Sequence, residues 1–296
     1  MATEPTRSRL DRILRPGPTQ DHAPLPVSGR AGRNLPAAVT TAVVLLGALA
    51  GGLVYWTPGF VALVVILCLM ATWELGGAFA RTGTSVTMPP LYVGTVGILV
   101  SAWTMGPEAM LVALFLTVFV IIAWRLMEGR GASTITDVIT SVFCAVYVPF
   151  LAAFVLLMRS ESGSAAVVGA YVAVTVSNDI GGWAAGVLFG KHPMSPRISP
   201  HKSWEGFAGS VLMCCAVGVA GVLLLGGQWW WGLVAGVAAS VVGTVGDLTE
   251  SAIKRETGLK DMSNLLPGHG GVLDRMDSLL MTAPVLYLVL RAALGW

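Results

Sequence analysis

The chain has 296 residues, of which 55% are hydrophobic and only 11% are charged, and its mean hydropathy is +0.75. These values exclude a soluble globular protein and predict a polytopic membrane protein. The formal net charge of +2 indicates no class of partner, because in a membrane protein the side on which charges lie matters more than their sum.

Residues 1–35 precede the first apolar run and are rich in Pro, Arg, Thr and Asp. They carry six Arg against three acidic residues and too few apolar residues to form a core. They also lack the apolar run and small-residue cleavage site of a secretory signal peptide. We therefore expect a disordered cytoplasmic tail over 1–35 and a transmembrane catalytic domain over 36–296.

Nine apolar runs follow the tail, most of them about 17–25 residues long, the length that crosses the hydrocarbon core as a helix. The sequence thus predicts an all-α, polytopic integral membrane bundle of about nine transmembrane helices. The runs lie near 36–56, 59–80, 89–104, 109–125, 137–158, 165–189, 207–226, 229–246 and 278–295.

The basic residues predict the orientation of these spans. With a cytoplasmic N-terminus, sixteen of the eighteen Lys and Arg residues fall in cytoplasmic segments, and only Arg159 and Arg291 fall outside. Basic residues near span ends are retained in the cytoplasm, so we expect a multi-pass plasma (inner) membrane protein with this orientation. The long polar segments 190–206 and 247–277 then face the cytoplasm, where we expect the active site.

Several glycine pairs have the GxxxG spacing that lets membrane helices approach closely. Packing within the bundle explains most of them, and a homodimer face explains the rest, so we expect a homodimer. No long-period repeat of the kind found in inverted-repeat transporters is present. The pairs are Gly47 with Gly51, Gly186 with Gly190, and Gly232 with Gly236.

Two acidic residues fall inside predicted spans, where an ionisable side chain is costly and usually functional. Asp179 follows Asn178 in the sixth run, and we expect it to belong to a functional site. Glu74 lies in the second run, and the sequence leaves open whether it joins the same site.

Asp274 and Asp277 are three residues apart at the entrance to the last span. If the helix of that span includes both, their side chains share one face with Cβ atoms about 5–6 Å apart. Two carboxylates so close favour a bound cation, and Asp247 is a candidate third ligand. Oxygen ligands favour Mg²⁺ or Mn²⁺ over Zn²⁺. The alternative is a solvated rim in which the acids pair with Lys254, Arg255 and Arg275.

The same stretch contains small and basic residues suited to phosphate. Gly270 and Gly271 form a turn that allows a ligand to approach the backbone. Acids for a metal and bases for phosphate oxygens together indicate phosphoryl-type transfer. The segment 190–209 adds further polar side chains without matching a P-loop, and a plain positive-inside loop is its alternative explanation. The bases of the stretch are Lys254, Arg255, Lys260 and Arg275, with His269 beside the turn.

Residues 251–277 resemble the signature of phosphatidate cytidylyltransferases, also called CDP-diacylglycerol synthases. The resemblance rests on Ser251-Ala-Ile-Lys254-Arg255, Lys260-Asp261, Pro267-Gly-His269-Gly270-Gly271 and Asp274-Arg275-Met-Asp277. Asp247 with Glu250-Ser251, the segment 199–206 and Asn178-Asp179 resemble further family elements. The likeness covers roughly residues 170–295.

The resemblance implies a reaction in phospholipid biosynthesis. CTP and phosphatidic acid give CDP-diacylglycerol and pyrophosphate at the cytoplasmic membrane face, with membrane lipid but no nucleic acid as a partner. It implies Mg²⁺ or Mn²⁺ held by Asp247, Asp274 and Asp277, and it allows a second cation such as K⁺.

The resemblance also implies roles for individual residues. The expected catalytic residues are Asp247, Lys254, Asp274 and Asp277. The expected substrate-binding residues are Asp179, Ser199, Lys202, Ser203, Glu205, Ser251, Arg255, Lys260, His269, Gly270, Gly271 and Arg275.

Two other functions stay open at this stage. A CTP-dependent polyprenol kinase transfers the γ-phosphoryl group to a lipid alcohol and releases CDP in place of pyrophosphate. A cation-coupled transporter uses Asp179 and Glu74 as carriers near the middle of the membrane.

Overall fold

The computed structural model describes residues 13–14, 16, 35–128, 134–266 and 270–296. Over this part the regular structure is helical except for one two-stranded antiparallel sheet. The helices are α1 (Leu35–Tyr55), α2 (Thr57–Ala80), α3 (Met88–Met105), α4 (Pro107–Met127), α5 (Thr134–Ala145), α6 (Leu151–Ser162), α7 (Ala165–Phe189), α8 (Trp204–Leu224), α9 (Trp229–Thr257) and α10 (Asp277–Leu294). The strands are β1 (Pro193–Ser195) and β2 (Ser199–Ser203).

The predicted all-α membrane fold is confirmed. A π-helical turn, Val146–Phe150, joins α5 and α6 into one span, and Pro149 within it accounts for the break in regular α-helix. With that span counted once, the described residues contain eight helices long and apolar enough to cross a membrane. The first predicted run coincides with α1, of which Val43–Tyr55 is a shorter apolar helix.

The predicted tail falls almost entirely outside the part of the chain that the structure describes. Of residues 1–35, only Ile13, Leu14, Pro16 and Leu35 are described. The expected boundary between tail and transmembrane domain therefore stays a prediction.

Helix α9 is longer than the apolar pattern predicts. The run ends at residue 246, whereas the helix continues to Thr257. The added turns contain an ion pair between Lys254 and Glu250, 2.7 Å apart at the i, i+4 spacing that supports a helix. Gly258, with a φ of +69°, follows the helix in the left-handed conformation common after C-termini. Asp247 and Lys254 therefore project from a helix and not from a loop.

Helix α10, in contrast, begins too late to contain both Asp274 and Asp277. Asp277 is its first residue, and Asp274 lies before it in a 3-10 turn, Leu273–Arg275. The prediction that both carboxylates share one helical face is wrong, because no α-helix runs through both positions.

The chain divides into two compact units, each built from segments distant in sequence. The first unit comprises Met1–Gly97, Leu111–Pro149 and Glu256–Asp274. The second comprises Ile98–Met110, Phe150–Arg255 and Arg275–Trp296.

In the first unit a buried ion pair joins α4 to α5. Arg125 and Asp137 contact each other with side chains only 3% and 1% exposed. Asp137 also accepts a hydrogen bond from the backbone N–H of Ser85, 2.8 Å away, which ties the segment after α2 to α5. Removing one partner of such a pair leaves an uncompensated buried charge, so this contact stabilises the unit.

In the second unit, glycine residues allow α7 and α8 to pack closely. A Cβ atom on Gly181 would lie 2.5 Å from the carbonyl oxygen of Gly209, and one on Gly209 would lie 2.3 Å from the Cβ of Ala185. Gly206 of α8 likewise approaches the backbone of Gly186, to 3.5 Å from such a Cβ. The short β1–β2 hairpin between the two helices is held by this packing.

Gly209→Ala is expected to lower stability, because its methyl group would overlap atoms of α7. Overpacking of this kind costs about 1–3 kcal/mol, or roughly 2–10 °C in the apparent unfolding temperature. Heating the purified protein in detergent and measuring the monodisperse fraction checks the prediction.

The matched control is Gly169→Ala on α7, where an added Cβ meets no atom within 4 Å. This change is expected to leave the unfolding temperature unchanged or slightly raised, because Ala favours helix over Gly. Equal unfolding temperatures for the two variants would contradict the packing argument.

Candidate active site

Three carboxylates of the second unit lie within electrostatic range of one another, each on a different helix. Asp179 lies on α7, Asp247 on α9 and Asp277 at the start of α10. Asp277 is close enough to interact electrostatically with both of the others, with Asp247 the stronger partner. Sequence analysis expected all three at a site, and the structure brings them together.

Lys202 supplies positive charge to this acidic cluster. Its Nζ atom, on β2, forms an ion pair with Oδ2 of Asp247, and the hydroxyl of Ser278 donates a hydrogen bond to Oδ1. The side chains of Lys202 and Asp247 remain 28% and 18% exposed. The pair is therefore within reach of a ligand.

The β1–β2 hairpin places Lys202. Its strands pair Pro193 with Ser203, and the hydroxyl of Ser203 then accepts a hydrogen bond from the backbone N–H of Gly206 at 3.1 Å, capping α8. Because one residue ends the strand and starts the helix, β2 and Lys202 have a defined position beside α9.

Glu205 stabilises the same, open end of the hairpin. Its carboxylate accepts hydrogen bonds from the backbone N–H groups of Lys191 and His192 at 3.1 and 3.2 Å, and its Oε1 lies 2.5 Å from Nδ1 of His192. Glu205 therefore has partners within its own loop, and substrate binding by Glu205 stays a prediction.

A polar cavity of about 220 Å³ adjoins the ion pair. Asn178 is 3% exposed, its backbone carbonyl accepts a hydrogen bond from the hydroxyl of Ser210 at 2.6 Å, and its side-chain N–H donates to Asp179. The cavity thus combines an acid, a base and fixed amide and hydroxyl groups. Its lining residues are Asn178, Asp179, Gly182, Trp183, Met194, His201, Lys202, Ser203, Gly206, Phe207, Ser210, Thr244 and Asp247.

The remaining predicted residues of the second unit lie on the same elements. Ser199 opens β2 and pairs with Ser195. Arg255, exposed at the end of α9, donates from Nε to the carbonyl of Ile198 at 3.3 Å. Arg275 is within electrostatic range of Asp179. The cluster thus has basic side chains around it, as transfer of a phosphorylated group requires. Ser251 is half-buried on α9.

The other predicted residues belong to the first unit, in the segment Gly258–Asp274, called here the signature loop. Both Met262 and Gly271 donate backbone N–H groups to the carboxylate of Asp274, to Oδ2 at 3.1 and 2.8 Å. Gly270 has a φ of +86°, which suits glycine, and Lys260 is exposed. His269, with Pro267 and Gly268, lies outside the described residues.

Glu74, on α2, contacts this loop, while the question whether it joins the active site stays open. Its side chain is fully buried in the first unit, where the backbone N–H groups of Val272 and Leu273 donate to it at 2.8 and 2.7 Å. The hydroxyl of Ser263 donates a further hydrogen bond. The sequence does not predict the contacts of Ser263 and Ser278 with these carboxylates, because a serine near an acidic motif has no pattern that marks it as functional.

A larger apolar groove, about 890 Å³, lies in the first unit. The described residues that line it include no carboxylate and no basic side chain, so they offer no group to act on a phosphate. The smaller polar cavity is therefore the candidate active site. Residues Ile13, Leu69, Met70, Trp73, Tyr92, Val93, Val96, Gly97 and Leu265 line the apolar groove.

The acidic cluster suits a divalent cation by the chemistry of its donors. Carboxylate oxygens are the ligands that Mg²⁺ and Mn²⁺ prefer. In the ranges that the structure describes, no three His, Cys, Asp or Glu side chains converge as a ready metal site. Asp247 and Asp277 are the neighbouring pair that would hold a cation, and Lys202 now balances part of their charge.

Comparison with known proteins shows sequence similarity to one enzyme family. The model of the cytidylyltransferase family matches residues 36–293. A protein of Mycobacterium bovis named phosphatidate cytidylyltransferase is 38% identical over 282 residues, which cover 90% of this chain and 92% of that protein. A Mycobacterium leprae protein of the same name is 36% identical over 277 residues, 88% of this chain and 89% of its own. One from Pseudomonas aeruginosa is 46% identical over 121 residues, 40% of this chain and 44% of its own.

Asp277→Asn is expected to stabilise the protein in the absence of divalent cations, because it removes one charge from a crowded acidic cluster. Relief of about 1 kcal/mol would raise the apparent unfolding temperature in EDTA by roughly 2–4 °C. Adding Mg²⁺ should then stabilise the unchanged protein more than the variant.

Glu161→Gln provides the control. Glu161 pairs with Arg291 at 3.1 Å and accepts a hydrogen bond from Tyr287 at 2.8 Å, so a basic side chain already balances its charge. Its replacement is expected to give no rise in unfolding temperature. A rise of equal size in both variants would show that charge repulsion in the cluster is not the cause.

Proposed function

Because the chain belongs to the cytidylyltransferase family, we propose that it transfers the cytidylyl group of CTP to phosphatidate, giving CDP-diacylglycerol and pyrophosphate. The observation that carries this proposal is the 38% identity to a named phosphatidate cytidylyltransferase over 90% of the chain. The cluster of Lys202, Asp247 and Asp277 supports it, since all three residues lie within the matched range 36–293.

The reaction needs no nucleophile from the protein. A phosphate oxygen of phosphatidate forms a new bond to the α-phosphorus of CTP, while the bond from that phosphorus to the bridging oxygen of the β-phosphate breaks. Pyrophosphate leaves with the electron pair of the broken bond. Since the attacking oxygen is already anionic, catalysis consists mainly of positioning and of neutralising charge.

Lys202 is well placed for the neutralising role. Its Nζ lies at the polar cavity on a half-exposed ion pair, so a phosphate oxygen can share or replace Asp247 as its partner. An ammonium group binds phosphate as a point charge. Lys254 and Arg255 in the last turn of α9 add positive charge at the end of the same helix that carries Asp247.

We assign a bound Mg²⁺ or Mn²⁺ to Asp247 and Asp277. When bound, such a cation neutralises phosphate charge and polarises the α-phosphorus. Ser278 supports both carboxylates, since its hydroxyl donates a hydrogen bond to Asp247 and its backbone N–H donates one to Asp277 at 2.8 Å. Asp274 as a third ligand, and K⁺ as a second cation, stay predictions.

The proposed active site faces the cytoplasm of a multi-pass protein in the plasma membrane. The bias of sixteen basic residues out of eighteen toward one side supports this orientation. CTP is then taken from water, while the acyl chains of phosphatidate stay in the bilayer around the apolar helices. A homodimer remains the expectation from the GxxxG pairs.

The activity test uses purified protein in detergent with phosphatidate and CTP labelled at the α-phosphorus. Label is expected to move into chloroform-soluble lipid only when phosphatidate and Mg²⁺ or Mn²⁺ are both present. Pyrophosphate should appear in equal amount. Release of CDP without lipid-bound cytidine would instead identify a CTP-dependent lipid kinase, and CTP left unconsumed would leave no support for either enzyme.

Loss of the Asp247 or the Asp277 carboxylate is expected to abolish turnover. Asp247→Asn and Asp277→Asn should each lower kcat by about 100-fold or more, because charge at the transferred phosphorus is no longer compensated. Gel filtration should show folded protein in both cases. Glu161→Gln, outside the cluster, is expected to keep kcat within about twofold. Activity retained in both aspartate variants would refute the assignment.

A further inference from the structure

We propose that Glu74 is a positioning residue that holds the signature loop and, through it, the carboxylate of Asp274. The proposal concerns the first unit, and its catalytic consequence rests on the proposed function. Glu74 lies on α2, nearly 190 residues before the loop that it contacts. Its carboxylate therefore acts on the signature loop through tertiary structure and not as a neighbour in sequence.

The hydrogen bonds of Glu74 and Asp274 interlock along the loop. At one end Met262 donates to Asp274, and its neighbour Ser263 donates to Glu74. At the other end Gly271 donates to Asp274, and its neighbour Val272 donates to Glu74. The two carboxylates thus hold the loop at two points, each through a pair of adjacent residues.

Leu273 links the two carboxylates most directly. Its backbone N–H donates to Oε2 of Glu74 at 2.7 Å, and the next residue in the chain is Asp274. Because the peptide before Asp274 is fixed by a buried carboxylate, the position of the Asp274 side chain depends on Glu74. Hydrogen bonds to a charged acceptor are stronger than those between neutral groups, and Glu74 accepts three of them from the loop.

Gly271 shows how tightly the loop is held. A Cβ on this residue would lie 3.0 Å from both carboxylate oxygens of Glu74 and 3.1 Å from Oδ2 of Asp274. The loop backbone at Gly271 thus lies close to both carboxylates, and a side chain there would require them to shift. An acid inside a predicted span is thereby accounted for, since its charge is compensated by the loop and not by bulk water.

Glu74 therefore orders the signature loop, and the loop in turn positions the side chain of Asp274. Replacing Glu74 by Gln keeps the shape of the side chain but exchanges one acceptor oxygen for an amide NH₂ group, which only donates hydrogen bonds. That group faces backbone N–H donors, and at least one hydrogen bond is lost. The loop should therefore unfold locally more often, whereas the helices packed elsewhere should stay folded.

The test measures opening of the loop without relying on activity. Lys260 is an exposed trypsin site within the loop, and Arg197 is an exposed site in the β1–β2 hairpin of the other unit. With Glu74→Gln in EDTA, cleavage after Lys260 is expected to become about tenfold faster, and cleavage after Arg197 to stay unchanged. Mass spectrometry of the fragments over time gives both rates.

A second readout uses turnover. In Glu74→Gln the concentration of Mg²⁺ for half-maximal activity is expected to rise about tenfold, with the KM for phosphatidate unchanged. Asp137→Asn is the matched control, because Asp137 is another buried acceptor of a backbone N–H in the first unit and lies outside the loop. It should lower the unfolding temperature without altering cleavage after Lys260 or the Mg²⁺ requirement.

Other outcomes decide against the proposal. Unchanged cleavage after Lys260 overturns it, and equal acceleration at Lys260 and Arg197 overturns it as well by showing global unfolding. If Glu74→Gln does not fold, Ser263→Ala removes one donor to Glu74 and must show the same cleavage change, though smaller. If the unchanged protein has no cytidylyltransferase activity but Glu74→Gln still speeds cleavage after Lys260, the loop depends on Glu74 and the proposed function is refuted.

Discussion

The need to compensate carboxylates within apolar helices governs this structure. Several buried or half-buried acids have a partner suited to their position: Asp137 has Arg125, Glu74 has backbone N–H groups, and Asp247 has Lys202 with Ser278. An isolated charge in such surroundings costs several kcal/mol, so these contacts determine which distant segments must meet. The fold of each unit is in this sense built around its acids.

Close packing of α7 and α8 makes the most important of these contacts possible. Because glycines let the helices approach, the hairpin that joins them is short and well anchored, and it delivers Lys202 to Asp247. A bulkier sequence on either helix would move the hairpin away from α9. The glycines that looked like general packing residues therefore also determine the geometry of the candidate active site.

The fold followed from the sequence because long apolar runs have few alternatives in a membrane. The limits of α9 did not, since hydropathy marks where a helix leaves lipid, whereas Gly258 marks where it ends. The cluster of Asp179, Asp247 and Asp277 was expected from charge and resemblance, and the structure assembles it. The roles of Ser278 and Glu74 depend on contacts between residues far apart in sequence, which no local pattern encodes.

The spacing of Asp274 and Asp277 shows what such a pattern leaves out. Three residues apart, they suggested one pair of equivalent ligands on a helix. Asp274 instead accepts hydrogen bonds from backbone N–H groups of the signature loop. Asp277 is the first residue of α10 and has other carboxylates as neighbours. Hydrogen bonds order the side chain of Asp274, whereas Asp277 lies in the repulsive field of Asp247 and Asp179. Two chemically identical residues three positions apart thus have different surroundings, which their spacing alone does not reveal.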